Sequence, residues 1–216
     1  EYGLHPVGPQ VMAGAIAWRA EEAAGVLEAY RDRMEGGPPE LAGAAFLRPA
    51  PPAPWLPPAL HGRPAVLLVL CHSGPVEEGR RAVAPLKALG ARAGDICQPR
   101  SYVSQQSLLD ATQPRGRRYY WKSEYLPALT SEVLERARTH AARIASPHSA
   151  IIFFPVGGAL NRLPAEHSAA GNRDAAWVLA VAAAWERAED DALHIGWARA
   201  AWRDLRGFST GGTYVN

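Results

Sequence analysis

The order of apolar patterns limits this chain more than any single motif. It reads β-α-β-β-α and then, after an interruption, β-α-β-β-α again. In the first half, residues 10–18 are strand-like. Residues 20–34 carry a helical stripe of Val26, Leu27, Tyr30 and Met34, and residues 41–48 are a second strand. A proline-rich loop from Pro49 to Pro58 leads to Val66-Leu67-Leu68-Val69-Leu70-Cys71, a short continuous apolar run that suits a central strand. A helix follows near 76–89. Residues 91–117 carry no clear period, with a short helix expected near 104–111. In the second half, strands are expected at 118–124, 149–156 and 174–185. One helix spans 130–145, capped by Thr130 or Ser131. A second helix spans 189–206 and opens on Glu189, Asp190 and Asp191, which suit the positive end of a helix dipole. Its stripe is Leu193, Trp197, Ala201 and Leu205, and a last strand begins near Gly212.

This is the split βαβ order twice over. The expected fold is α+β: a large, mostly antiparallel sheet built from two ferredoxin-like halves, about 10–97 and 118–216, with helices on one face. The other face must be covered or functional. Of Phe153, Phe154, Trp177 and Val178, those with the right strand parity would stand on it, and such a patch suits a ligand or partner. The first residues read as the tail of a strand, and Phe208 to Asn216 as a turn entering another, so both ends look like cuts through ordered structure.

Composition excludes several classes. Hydrophobic residues make up 48% and charged residues 20%, which is a globular balance. The 23 basic and 21 acidic residues leave a net charge of +2, too even to predict a nucleic-acid or membrane surface. No apolar run reaches the ~18 residues of a membrane span and no signal peptide opens the chain, so a cytoplasmic location is expected. Cys71 and Cys97 give neither a disulfide framework nor metal spacing and read as buried thiols. Seven histidines show no ligand spacing, and no metal site is expected.

Three motifs have bland explanations. Gly207-Phe208-Ser209-Thr210-Gly211 fits G-x-S-x-G, but a hydrolase needs a strand before the serine and a helix after it, and here the order is reversed. Arg115 to Lys122 mixes arginines with aromatic rings, as single-strand nucleic-acid binders do. The rest of the chain supplies no basic surface to extend it, and a strand with Tyr119 and Trp121 on one side and Tyr120 and Lys122 on the other is the better explanation, so no nucleic-acid partner is expected. Val156-Gly157-Gly158-Ala159 reads as a strand-ending bend. Tyr214, on a strand after a glycine pair, is a half-buried structural tyrosine or, if neighbours lower its pKa of ~10, a base.

Several segments taken together carry a resemblance. They are Leu4-His5-Pro6-Val7-Gly8-Pro9, the loop Ala50 to Pro57, the strand Arg117 to Ser123, Gly157-Gly158, Asn172-Arg173-Asp174-Ala175-Ala176 on to Trp185, and Phe208 to Asn216. In order and spacing they resemble the bacterial berberine-bridge-enzyme-like FAD-linked oxidases of the vanillyl-alcohol-oxidase superfamily. The resemblance covers nearly the whole chain. It implies a substrate-binding domain: a seven-stranded antiparallel sheet with helices on one side and its other face over the flavin. The FAD-binding domain of that family, with its flavin-linking histidine and cysteine, would lie outside these residues, and neither Cys71 nor Cys97 matches that cysteine.

The resemblance also implies site residues. Tyr214 matches the tyrosine of the family's Y-x-N motif, which acts as or assists the base. Asn216 matches its cofactor-side asparagine. Tyr120 and Lys122 fall on the strand whose side chains face substrate in relatives. Asn172 replaces a frequent histidine, and Phe154, Val178 and Ala180 stand where polar groups are common, so the implied pocket is apolar and not sugar-like. The implied activity is FAD-dependent oxidation of an alcohol, amine or similar C–H centre of a small molecule, with O2 as acceptor. The chain on its own is expected to be inactive and colourless. The alternative is a free-standing α+β module that binds a small molecule or docks on another protein without redox chemistry.

Overall fold

The computed structural model describes residues 6–168 and 171–213. The first half contains β1 (Gln10–Arg19), α1 (Ala23–Gly36), β2 (Leu41–Pro49), β3 (Pro64–His72), α2 (Val76–Lys87), β4 (Arg92–Asp95), β5 (Gln98–Ser101) and the short α3 (Tyr102–Gln106). The second contains β6 (Arg118–Leu126), α4 (Ser131–Ala141), β7 (Ala150–Pro155), the single turn α5 (Ala159–Arg162), β8 (Trp177–Trp185) and α6 (Asp191–Leu205). One sheet runs β4-β1-β3-β2-β7-β8-β6, with β5 also on β1, and every pairing is antiparallel. The first half thus has the spatial order fourth-first-third-second, and β7-β8-β6 repeats second-third-first. The halves join through their second strands, with Ala45 opposite Phe153 and Leu47 opposite Ile151.

Beside β6, where symmetry asks for a fourth strand, runs the segment 210–213. The Thr210 N–H donates to the Tyr125 carbonyl at 2.9 Å, and the Tyr125 N–H donates to Gly212 at 3.1 Å. The segment 210–213 thus lies against β6 without forming a strand among the described residues. Tyr214 and Asn216 lie outside the described residues.

Two strands were not legible in the sequence. Arg92-Ala-Gly-Asp and Gln98-Pro-Arg-Ser have no apolar alternation, because they lie along the edge of the sheet with little burial. They form one edge strand broken at Ile96 and Cys97, which is why eight strands appear where seven were expected. The Ile96 N–H still donates to Ala15 at 2.8 Å. Gly14 permits the close passage: its φ is +140°, and a Cβ there would lie 2.1 Å from the Ile96 carbonyl oxygen. The helix expected at 104–111 forms earlier, at 102–106, because the Ser101 hydroxyl caps it by accepting from the Ser104 N–H at 3.1 Å.

Four long helices, α1, α2, α4 and α6, cover one face. Between them and the sheet lies the main core. It takes Ile16 and Trp18 from β1, Leu68 and Leu70 from β3, Phe153 from β7 and Trp177, Leu179, Val181 and Trp185 from β8. Thr130 caps α4 through the Val133 N–H, as one of the two expected caps. The stripe of α6 differs from expectation. Leu193 is 57% exposed, and the buried line is His194, Ala198, Ala201 and Leu205. His194 stacks on Trp185 with ring centroids 5.2 Å apart, so a half-apolar ring displaces leucine from the inner face.

Candidate functional site

Strand parity sorts the side chains of the sheet into two unlike sets. Toward the helices stand the large residues of the main core. Toward the other face stand Ala13, Ala15, Ala17, Ala44, Ala150, Ala180 and Ala182, with Phe46, Leu67 and Ile152 among them. This carpet of small residues is what leaves room above the sheet. The proline-rich loop folds over part of it. Leu56 and Leu60 are buried in a second apolar cluster with Phe46, Leu67 and Ile152, and Trp55 packs against it. The Leu56 carbonyl is held by the His61 ring at 3.2 Å. Between this loop, the segment 108–113 and the sheet is a cavity of about 380 Å³. That is the size of a small-molecule site.

The cavity is lined by groups of two kinds. Phe154, Trp121 and Trp55 form aromatic walls over the alanine floor. Phe154 is 38% and Trp121 47% exposed, and Tyr119 stacks edge-on to Trp121 at 6.4 Å. The polar part of the lining is Arg48, His148, Thr112 and Gln113, and Arg48 lies in the strand row that runs through Ala150 and Ala182 to Trp121. Arg48 donates from Nε to the Pro49 carbonyl at 3.2 Å and from Nη2 to Pro147 at 3.0 Å. Burial, and then the nearby Arg117, press its pKa down. The same two causes, in the same order, lower His148, partly offset by Glu186, which the His148 ring meets at 3.2 Å. Arg117 is anchored to the Thr112 carbonyl at 3.3 Å.

The site residues expected from sequence divide between the two faces. Phe154 and Ala180 line the cavity. Val178 shares their face, opposite Phe154 in register, but is not part of the lining. Tyr120 and Lys122 point to the helix side. The Lys122 ammonium lies 5.0 Å from the Trp202 ring centroid, and Arg199 donates to the Tyr120 hydroxyl at 3.1 Å. That hydrogen bond is the main cause lowering the Tyr120 pKa. The reason is register. Leu126 and the buried Glu124 must face α6, where Glu124 accepts from Trp202 at 2.6 Å and from Ser209 at 2.6 Å. Tyr120 and Lys122 share that parity, so Trp121 and Tyr119 face the cavity side. The alternation of Tyr119-Tyr120-Trp121-Lys122 shows this division, but not which half of it faces the helices.

Other candidates are accounted for locally. Ser209, in the G-x-S-x-G match, spends its hydroxyl on Glu124. Arg118 makes a two-point ion pair with Asp191. A hollow of about 510 Å³ beside β4 is shallow, and there Lys87 and Arg92 already share Asp95. Cys97 is buried and its thiol is pushed up to about 11 mainly by desolvation, which makes it inert. Among the described residues no cluster of His, Cys, Asp and Glu could hold a metal, and no helix is long and apolar enough to cross a membrane.

No family model matches the sequence, and no curated protein matches it. Solved structures do match. The BBE-like 1 protein of Physcomitrella patens aligns over 97% of this chain and 46% of its own, with a TM-score of 0.74 at 15% identity. BBE-like #28 of Arabidopsis thaliana covers 95% and 45%, with 0.75 at 14%. The 6-hydroxy-D-nicotine oxidase of Arthrobacter nicotinovorans covers 96% and 45%, with 0.71 at 20%. The chain spans less than half the length of each, and at these identities it is the fold that is shared. This chain has the fold that the berberine-bridge-enzyme-like proteins and 6-hydroxy-D-nicotine oxidase carry over slightly under half of their length.

Proposed function

We propose that residues 1–216 are the substrate-binding part of an FAD-dependent oxidoreductase, and that the helix-free face is where substrate sits. The observation that carries this is the cavity of about 380 Å³ on that face, floored by alanines and walled by Trp55, Trp121 and Phe154. A structural sheet face would be filled, as the opposite one is. The solved structures of the same fold are flavoenzymes, and the partly exposed Trp121 and Phe154 in the lining fit an apolar ring system as substrate.

FAD, when bound, would supply the hydride acceptor. This chain's residues would do the rest. Trp121 and Phe154 would hold the substrate flat, and Ala180 would leave room beneath it. The proline-rich loop would exclude water. Tyr214 would take or orient the proton of the C–H centre being oxidised, with Asn216 beside it on the cofactor side. Thr213, the residue before Tyr214, donates to the Ser123 carbonyl at 2.7 Å on the strand that carries Trp121. The substrate would be an apolar or mixed alcohol, amine or similar compound, with O2 as the final acceptor.

The test is the longest natural product of the gene. It should purify with a flavin spectrum, and Tyr214→Phe in that product should slow flavin reduction by roughly 10²–10⁴. A colourless product would end the flavoenzyme proposal. Reduction within a few-fold of wild type would remove Tyr214 from the chemistry.

A further inference from the structure

The lining of the cavity specifies its ligand. Arg48 and His148, with Arg117 close behind, bring positive charge to a lining that is otherwise mostly alanine and aromatic, with Thr112 and Gln113 on the wall. In register, Ala150 and Ala182 lie between Arg48 on β2 and Trp121 on β6. No Asp or Glu lines the cavity among the described residues, and the carboxylate that engages this group, Glu186, binds the His148 ring from outside the lining. Among the described residues Arg48 has no carboxylate partner. Its hydrogen bonds go to two carbonyls, Pro49 and Pro147, which use Nε and Nη2 and leave its charge uncompensated. Contrast Arg118, Arg136 and Arg92, each paired with a carboxylate on the outer surface. A half-buried guanidinium held beside a second one, in an apolar cavity, is costly unless an anion joins it.

We infer that the cavity binds a flat aromatic carboxylate, its carboxylate on the Arg48 guanidinium and its ring over Ala150 and Ala182 toward Trp121. The inference rests on the helix-free face being the substrate face, and it adds the charge and polarity of the substrate. Arginine suits the role because its planar fork keeps donors for a carboxylate while others hold the backbone. The aromatic walls supply the affinity and the guanidinium fixes which way round the ligand lies.

Calorimetric titration of this chain with 1-naphthylacetate and with the neutral 1-naphthylacetamide tests it. The acid should bind at least tenfold tighter than the amide. Arg48→Met should erase that difference while leaving the amide's affinity unchanged, and Arg48→Lys should restore part of it. Trp121→Ala should weaken both ligands alike. Equal binding of acid and amide by the wild type would overturn the anion inference and leave the substrate face intact. So would an Arg48→Met variant that melts normally and still prefers the acid. If neither compound binds the wild type, the face is not a site for flat aromatics, and both proposals fall together.

Discussion

Phe153 and Phe154 are neighbours in the chain and stand on opposite faces of the same strand, and the contrast between them runs through the whole sheet. Phe153 is fully buried among the helices, while Phe154 is 38% exposed at the mouth of the cavity. On the helix side, large rings and branched chains interlock: Trp18, Tyr30, Phe153 and Trp177 are all within 1% of complete burial. On the other side the same strands present mostly alanine. Close packing removes space, and a ligand needs space, so one sheet cannot give both faces the same composition. The helix face holds the fold, and the alanine face leaves a volume for something else.

The largest expected effect is on stability, at the pair that defines the contrast. Phe153→Ala should cost about 3–5 kcal/mol in urea unfolding, because it opens a cavity in a filled core. Phe154→Ala should cost about 1 kcal/mol or less, as its ring is partly in water already. Similar losses at both positions would break the comparison. Next come additions of volume to adjacent alanines. Ala183→Leu overfills the helix side and should cost about 1–3 kcal/mol. Ala182→Leu projects into the cavity and should leave stability almost unchanged while abolishing 1-naphthylacetate binding. A smaller effect is expected at Tyr30, whose hydroxyl donates to Gly43 at 3.3 Å and to Phe153 at 3.2 Å, one on each half of the sheet. Burial pushes that hydroxyl's pKa far up, so it stays a donor. Tyr30→Phe should cost about 1 kcal/mol and leave the cavity unaltered.

The smallest effect is that of acid. Asp204 is lowered first by its hydrogen bond with His140, and Asp191 first by Arg118. A depressed carboxylate adds stability above its ordinary value of about 3.9, and that contribution is lost as pH falls through the folded value. The Asp191 and Asp204 side chains are about a third exposed, at 34% and 37%, so solvent screening should keep the change modest. The melting temperature should fall between about pH 5 and pH 2. Asp204→Asn should flatten the fall, whereas Arg48→Met at the cavity should not change its slope.

The sequence made the fold legible where burial leaves a period. Val66 to Cys71 suited a central strand and is one, and Tyr30 declared itself through the stripe of α1. It failed at β4 and β5, whose edge position asks little of their side chains, and at the α6 stripe, where stacking on Trp185 brought His194 inward instead of Leu193. The candidate site was half legible. Phe154 and Ala180 reach the cavity, Tyr120 and Lys122 turn to α6, and Trp121, the widest ring at its mouth, was read only as one side of a strand.

By itself, the sequence determined the duplicated β-α-β-β-α order and the antiparallel sheet it builds, because periods of two and 3.6 residues are local properties of the chain. Only the tertiary structure decided which parity of each strand meets the helices. It alone brought Arg48 from β2 and His148 from the turn before β7 to one cavity, with Arg117, just before β6, behind them. Those residues are up to 100 positions apart (Arg48 to His148), and no local period relates them. Their meeting depends on β2 and β7 pairing at the join between the halves, a contact that exists only when both halves have folded.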